Sequence, residues 1–205
     1  MKKVIVMVAC LLAIGAASAQ EKNSGLMFSG GFGMSNYGNF PSVSVFADQT
    51  DAYGLIPSEQ ISVGYCHNKS WFVGLTLNYD NGSTSFQNLN ERFKNTAILF
   101  DIRDYYPLGD KFELEVGAAT GWLIRNNSFD YVGDHYSFTR HGFIGYFSLG
   151  LNYLFKEGHT IGVRAILPCY GWLQGEKPAL PTGLVANEQN RLSGYGIQLS
   201  YGVMF

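Results

Sequence analysis

The chain is poor in charge: 15% of its 205 residues are Asp, Glu, Lys or Arg, against about 25% in a typical soluble domain. It also lacks long apolar runs. Beyond residue 19 no stretch of about 18 apolar residues occurs, which excludes a helical membrane protein. Basic excess is missing too, since the formal net charge is −2, and nucleic-acid binding calls for a basic surface. Cysteines number only three, and no His/Cys spacing of a metal site is present. What the chain does have is 25 Gly, 13 Tyr, 15 Phe and a mean hydropathy of zero. That aromatic content excludes disorder, and the glycines follow no three-residue period, which excludes collagen. An apolar chain without apolar runs calls for strands with two unlike faces.

Residues 1–19 read as a secretory signal peptide, leaving 20–205 as one mature domain. Lys2 and Lys3 form the basic start, Val4 to Ala16 the apolar core, and Ala17-Ser18-Ala19 the small-residue cleavage site. Cys10 lies inside that apolar core, so Cys66 and Cys169 remain as the pair to be placed.

From residue 24 onward the pattern is period two, the mark of a strand with one apolar face. Eight segments show it. Trp71, Val73, Leu75, Leu77 and Tyr79 alternate with Gly74, Thr76 and Asn78. Ile98, Phe100 and Ile102 alternate with Ala97, Leu99, Asp101 and Arg103. The last segment sets Tyr195, Ile197, Leu199, Tyr201, Val203 and Phe205 against Gly196, Gln198, Ser200 and Gly202. Recurrent Gly and abundant β-branched and aromatic residues argue against helix. Connectors alternate long (36–59, 80–94, 124–141, 168–193) and short (68–70, 105–111, 155–159). Short periplasmic turns and longer extracellular loops are the signature of a transmembrane barrel of antiparallel strands. An even strand number then puts both termini in the periplasm.

A soluble eight-stranded barrel, a lipocalin-like binder, would need the bulky face inside. So narrow a lumen cannot hold it, and the Gly/Ser/Asn face makes a poor water-facing surface. With the faces reversed, small and polar residues fill the interior and bulky ones meet lipid. Aromatics then mark both ends of the apolar band: Trp71, Phe112, Tyr153, Tyr201 and Phe205 at the periplasmic end, Tyr79, Trp122, Phe143 and Tyr195 at the outer end. That is the double aromatic girdle of outer-membrane barrels.

The amphipathic strands and the terminal Tyr201-Gly202-Val203-Met204-Phe205 resemble a small eight-stranded, up-and-down outer-membrane β-barrel of the OmpA/OmpX type. The resemblance covers Gly25 to Phe205. It implies the outer membrane of a Gram-negative bacterium as location, outer-membrane lipid as solvent, and delivery by the barrel-assembly machinery through the C-terminal strand. Ser200 stands where Gly is common in that signal, and Val203 where an aromatic is common.

Charges on the lumen face are few: Asp101, Arg103, Glu113, Glu115 and Arg164. They are expected to form an internal ion-pair cluster plugging the barrel, with Arg103 facing Glu113 or Glu115 across a hairpin. Cys66 and Cys169 fall at opposite rims, about 25 Å apart, too far for a disulfide.

Within the third long loop, His135 and Ser137 resemble part of the active site of lipid A deacylases, also outer-membrane barrels, in which Ser is the nucleophile and His the base. No acidic residue follows them until Glu157. His67 and His159 read as solvated turn residues. The first loop carries Tyr37, Phe40, Phe46 and Tyr53, and the fourth Trp172, Pro178 and Pro181, suiting either an extracellular surface partner or packing over the barrel mouth. The expectation is a non-enzymatic outer-membrane barrel without cofactor, structural, surface-interacting or porin-like in role. The hydrolase and the soluble binder stand as alternatives.

Overall fold

A computed structural model describes residues 24–37, 43–44, 55–86, 89–156, 158–175, 180–181, 184–186 and 194–205. The segment 1–23, with the expected cleavage site, and the aromatics Phe40, Phe46 and Tyr53 lie outside the described residues. Among the described residues ten strands run in chain order: β1 (Gly25–Tyr37), β2 (Val43–Ser44), β3 (Ile56–His67), β4 (Trp71–Phe86), β5 (Leu89–Pro107), β6 (Phe112–Tyr131), β7 (Asp134–Lys156), β8 (His159–Gly175), β9 (Val185–Ala186) and β10 (Gly194–Met204). Each long strand pairs antiparallel with its neighbour, and β1 meets both β3 and β10, closing the sheet into a barrel. The two-residue strands β2 and β9 form a separate small sheet.

Two ends differ. At one, short turns join the strands and both described termini meet; Phe205 N donates to Leu26 O at 2.9 Å. Asn68 and Lys69 there take φ of 49° and 53°, the paired left-handed conformation of a tight hairpin turn. At the other end the wall rises well beyond where hydropathy alternation stops. Segments 80–94 and 124–141, expected as long loops, are mostly strand: β4 and β5 pair out to Phe86–Leu89, β6 and β7 out to Tyr131–Asp134. Outside an apolar solvent both faces of a strand carry polar residues, so the hydropathy period vanishes while the ladder continues.

Facing is uniform. Bulky residues such as Phe32, Ile61, Leu75, Phe100, Leu149 and Leu199 point outward and are about half exposed or more. Along β6 the outward row is Phe112, Leu114, Val116, Ala118, Thr120, Trp122 and Ile124, then Asn126, Ser128 and Asp130. The apolar part spans roughly 30 Å at ~3.3 Å per residue and ~40° tilt.

Strand β8 changes phase. Residues 161, 163 and 167 face out, but so do 172 and 174, because Tyr146 pairs with Pro168 and Gly145 with Tyr170, leaving Cys169 as an extra residue. Pro168 has no N–H for the ladder, and one extra residue reverses every later side chain. Trp172, expected in the fourth loop, is therefore an outward strand residue opposite Phe143.

Candidate functional site: the barrel interior and its ends

From the turn end upward, the interior is layered. Phe72, fully buried, lies across the opposed pair Gly64 and Gly74; a Cβ on Gly74 would come within 2.5 Å of its ring. The glycines make room for that ring, and the Arg103 guanidinium stacks on it at 4.8 Å. Arg103 Nε donates to Asp101 Oδ2 at 3.0 Å, Nη1 to Ser29 Oγ at 3.1 Å and Nη2 to Ser62 Oγ at 2.6 Å. Thr76 Oγ1 donates to the same Asp101 oxygen at 2.6 Å. On the opposite wall Arg164 Nη2 donates to Glu115 Oε2 at 2.9 Å, and Asn152 Nδ2 adds a bond to that oxygen at 3.3 Å. Gln60 links the two groups, accepting from Arg164 Nη1 at 3.4 Å and donating to Ser62 Oγ, the acceptor of Arg103, at 3.5 Å. Each buried charge thus has an opposite charge or hydrogen bonds, as a low-dielectric interior requires.

The arrangement differs from the expected one. Arg103 takes Asp101 on its own strand, because the register sets Gly117 opposite Arg103 and Tyr105 opposite Glu115. Glu113 pairs in register with Pro107 and lies near the turn end. There it lines a cavity with Lys69 and Lys111, apart from the Arg103 and Arg164 pairs.

Above the charged layer is an apolar one, built from Leu99, Leu123, Ile144, Ile166 and Leu173. Small polar residues alone do not fill the lumen. A second polar layer follows: Arg125 Nε donates to Asn95 Oδ1 at 2.6 Å and stacks over Phe93 at 5.2 Å, while Asn127 donates to Glu91 at 2.9 Å. All of these except Asn95 fall in the stretches expected as loops. The readable signal was inward alternation of Glu91, Phe93, Asn95, Ala97 and Leu99, masked by polar Arg92 and Lys94 on the other face. Phe129, Phe138 and Leu184 close the top. Of the fourth connector, Leu180 and Leu184 pack on this cluster.

Outside, Trp71, Phe112, Tyr201 and Phe205 ring the turn end, and Trp122, Phe143, Trp172 and Tyr195 the other. Tyr153 packs on Phe112 at 5.2 Å; Tyr79 lies on β4 near the upper edge. Three histidines sit among these aromatics. His67 lies 5.5 Å from Trp71, His141 stacks on Trp122 at 5.5 Å, and His159 Nδ1 is 2.8 Å from Tyr201 Oη. His67 and His159 are thus packed rather than merely solvated.

His135 and Ser137 lie on the outward face of β7. The hairpin register supplies the acidic residue that a forward reading of the sequence missed: Asp130, opposite His135, at 2.6 Å. Both side chains are half exposed or more, at 65% and 50%. Cys66 is a free, buried thiol. The Cys169 side chain lies outside the described residues, but its backbone sits ~10 residues up β8, roughly 25 Å along the wall.

Among solved structures the chain is similar to neisserial surface protein A, NspA, at 15% identity and a TM-score of 0.55, covering 88% of this chain and 97% of that one. It is also similar to Ail, the attachment invasion locus protein of Yersinia pestis, at 13% identity and a TM-score of 0.50, covering 89% and 97%. The chain has the fold of the outer-membrane β-barrels. No family model matches it, and neither does any curated protein. At these identities the likeness speaks for the fold alone.

Proposed function

We propose that the protein is an integral outer-membrane β-barrel, closed inside and non-catalytic, that holds strand hairpins above the outer leaflet as a surface-interaction platform. The observation that carries this is the outward apolar belt. Its height of roughly 30 Å matches a bilayer core of about that thickness, aromatic rings bound it on both edges, and polar layers lie inside it. A soluble lipocalin-like barrel would carry that belt facing its lumen. In this orientation the turn end and both termini are periplasmic, the segment 1–19 is the removed export signal, and β10 carries the sequence read by the assembly machinery. Arg103–Asp101 and Arg164–Glu115, with the apolar layer above, act as the plug; this favours a structural role over a porin-like one. The extended β4–β5 and β6–β7 hairpins offer the contact surface for an extracellular partner. The names of NspA and Ail, a surface protein and an attachment protein, accord with that reading.

The second reading is a lipid A deacylase-like hydrolase, now favoured by the Asp130–His135 contact beside Ser137. That contact is half exposed, and a contact screened by solvent contributes little to activating a nucleophile. Cell fractionation with heat-modifiable gel mobility tests the first reading: the protein should partition with the outer membrane and shift on boiling. Recovery as a soluble periplasmic species would end it. Loss of an acyl chain from lipid A, abolished by Ser137→Ala, would establish the second.

A further inference from the structure

Beyond residue 19 the chain holds only five sulfur-bearing side chains: Met27, Met34, Cys66, Cys169 and Met204. Three of them meet at one place. On β1, Met27 is directly opposite Met204 of β10, while Gly25, two residues before it, is opposite Cys66 of β3. Met27 therefore has Met204 as its lateral neighbour and Cys66 as its diagonal one on the same inner face. Cross-strand and diagonal neighbours of this kind have Cβ atoms about 5 to 8 Å apart, so the longer methionine arms bring all three sulfurs within reach of a common point. The three pack in one cluster with Phe72 and Tyr105, and Tyr105 Oη donates a weak bond to Met27 Sδ at 3.7 Å. They do not fill the space. All three line one cavity of about 320 Å³ at the turn end, which Lys69, Asp110, Lys111 and Glu113 also line.

We propose that Met27, Cys66 and Met204 form a binding site for a single soft monovalent cation, Cu(I), entered from the turn end of the barrel. Thiolate and thioether sulfur select Cu(I) over hard cations. No oxygen or imidazole is needed for a three-sulfur set. Phe72 and Tyr105 pack against the three sulfur residues and supply the aromatic part of the shell around them, the kind of surrounding that tunes a soft-metal site. On binding, the Cys66 thiol gives its proton to solvent as the S–Cu bond forms, and copper keeps its oxidation state, so no reductant is consumed. The inference rests on the barrel's register and cavity, not on the surface-display reading.

The test is anaerobic Cu(I) titration of the folded barrel in detergent against a chromogenic Cu(I) chelator. Cys10 and Cys169 are replaced by Ser, so that Cys66 is the one remaining thiol. One equivalent should be retained per chain, with affinity falling at least tenfold in Cys66→Ser and measurably in Met27→Leu and Met204→Leu. The leucine variants preserve volume, and heat-modifiable mobility checks that each variant is folded. Ag(I), a redox-inert probe of the same softness, should slow alkylation of Cys66. Equal Cu(I) retention by the parent and Cys66→Ser, or none by a parent that runs as a folded barrel, would overturn the site while leaving the membrane reading intact.

Discussion

Asp101 and Arg103 are each almost wholly buried, and each is the other's countercharge. Removing one partner of such a pair leaves an uncompensated buried charge, which costs about 3–5 kcal/mol, whereas replacing both by apolar groups is often close to neutral. Arg103→Met is accordingly expected to lower unfolding free energy in micelles by that amount, and Arg103→Met with Asp101→Leu to recover most of it. Urea titrations of the two variants check this; equal losses in both would show that the pair is not what holds the layer. A smaller effect belongs to Val132, which takes φ of 51° at the tip of the β6–β7 hairpin. A β-branched residue there is strained by about 1–2 kcal/mol, and Asn tolerates the conformation. Val132→Asn should therefore raise the thermal midpoint; an unchanged or lower midpoint would refute the strain. At this scale the sequence was informative where alternation was clean. Asp101, Arg103 and Arg164 could be placed in the interior because Ile98, Phe100, Ile102, Ile161 and Val163 marked the opposite face. The partner of Arg103 could not be read, since it depends on hairpin register, and register follows from the turn at 108–111 rather than from hydropathy.

The strands were legible only within the apolar belt. Strand β4 shows the logic: Leu75 faces outward and Thr76, fully buried, bonds Ser62 and Asp101 inside. Leu75→Arg, near mid-belt, should destabilise insertion by about 2–4 kcal/mol. Thr76→Arg should instead act through the Asp101 layer, so that it also perturbs unfolding of barrels already inserted. Folding assays into vesicles of differing thickness separate the two, because only the Leu75 penalty should track membrane depth. Above the belt, Glu91, Asn95, Arg125 and Asn127 continue the same inward row without an apolar outer face to reveal it. The bulge at Cys169 was hidden for a different reason. Pro168 marks the place, but nothing local tells which side of it resumes the ladder, so hydropathy alone leaves Trp172 in a loop and not in the outer aromatic ring.

At the scale of the molecule, composition and period carried the architecture, and the interior layering gives it a consequence. On the proposed reading, two charged layers with Leu99, Leu123, Ile144 and Leu173 between them plug the lumen. Purified protein in planar bilayers should show no steady, large conductance; a stable open level would remove the plug. The missing charge noted in the composition is likewise a property of the whole surface, where large apolar side chains stand exposed on every wall of the barrel. The proposed function stands or falls on lipid covering that surface. Nitroxide labels at Leu75, Leu149 and Ile197, in a background free of native cysteines, test it most directly by power-saturation EPR in reconstituted membranes. A lipid-covered belt gives high accessibility to oxygen and protection from a water-soluble nickel chelate at those three positions, with the reverse at Ser83 and Asn126 on the raised hairpins. Nickel accessibility at Leu75, Leu149 and Ile197 equal to that at Ser83 and Asn126 would contradict it.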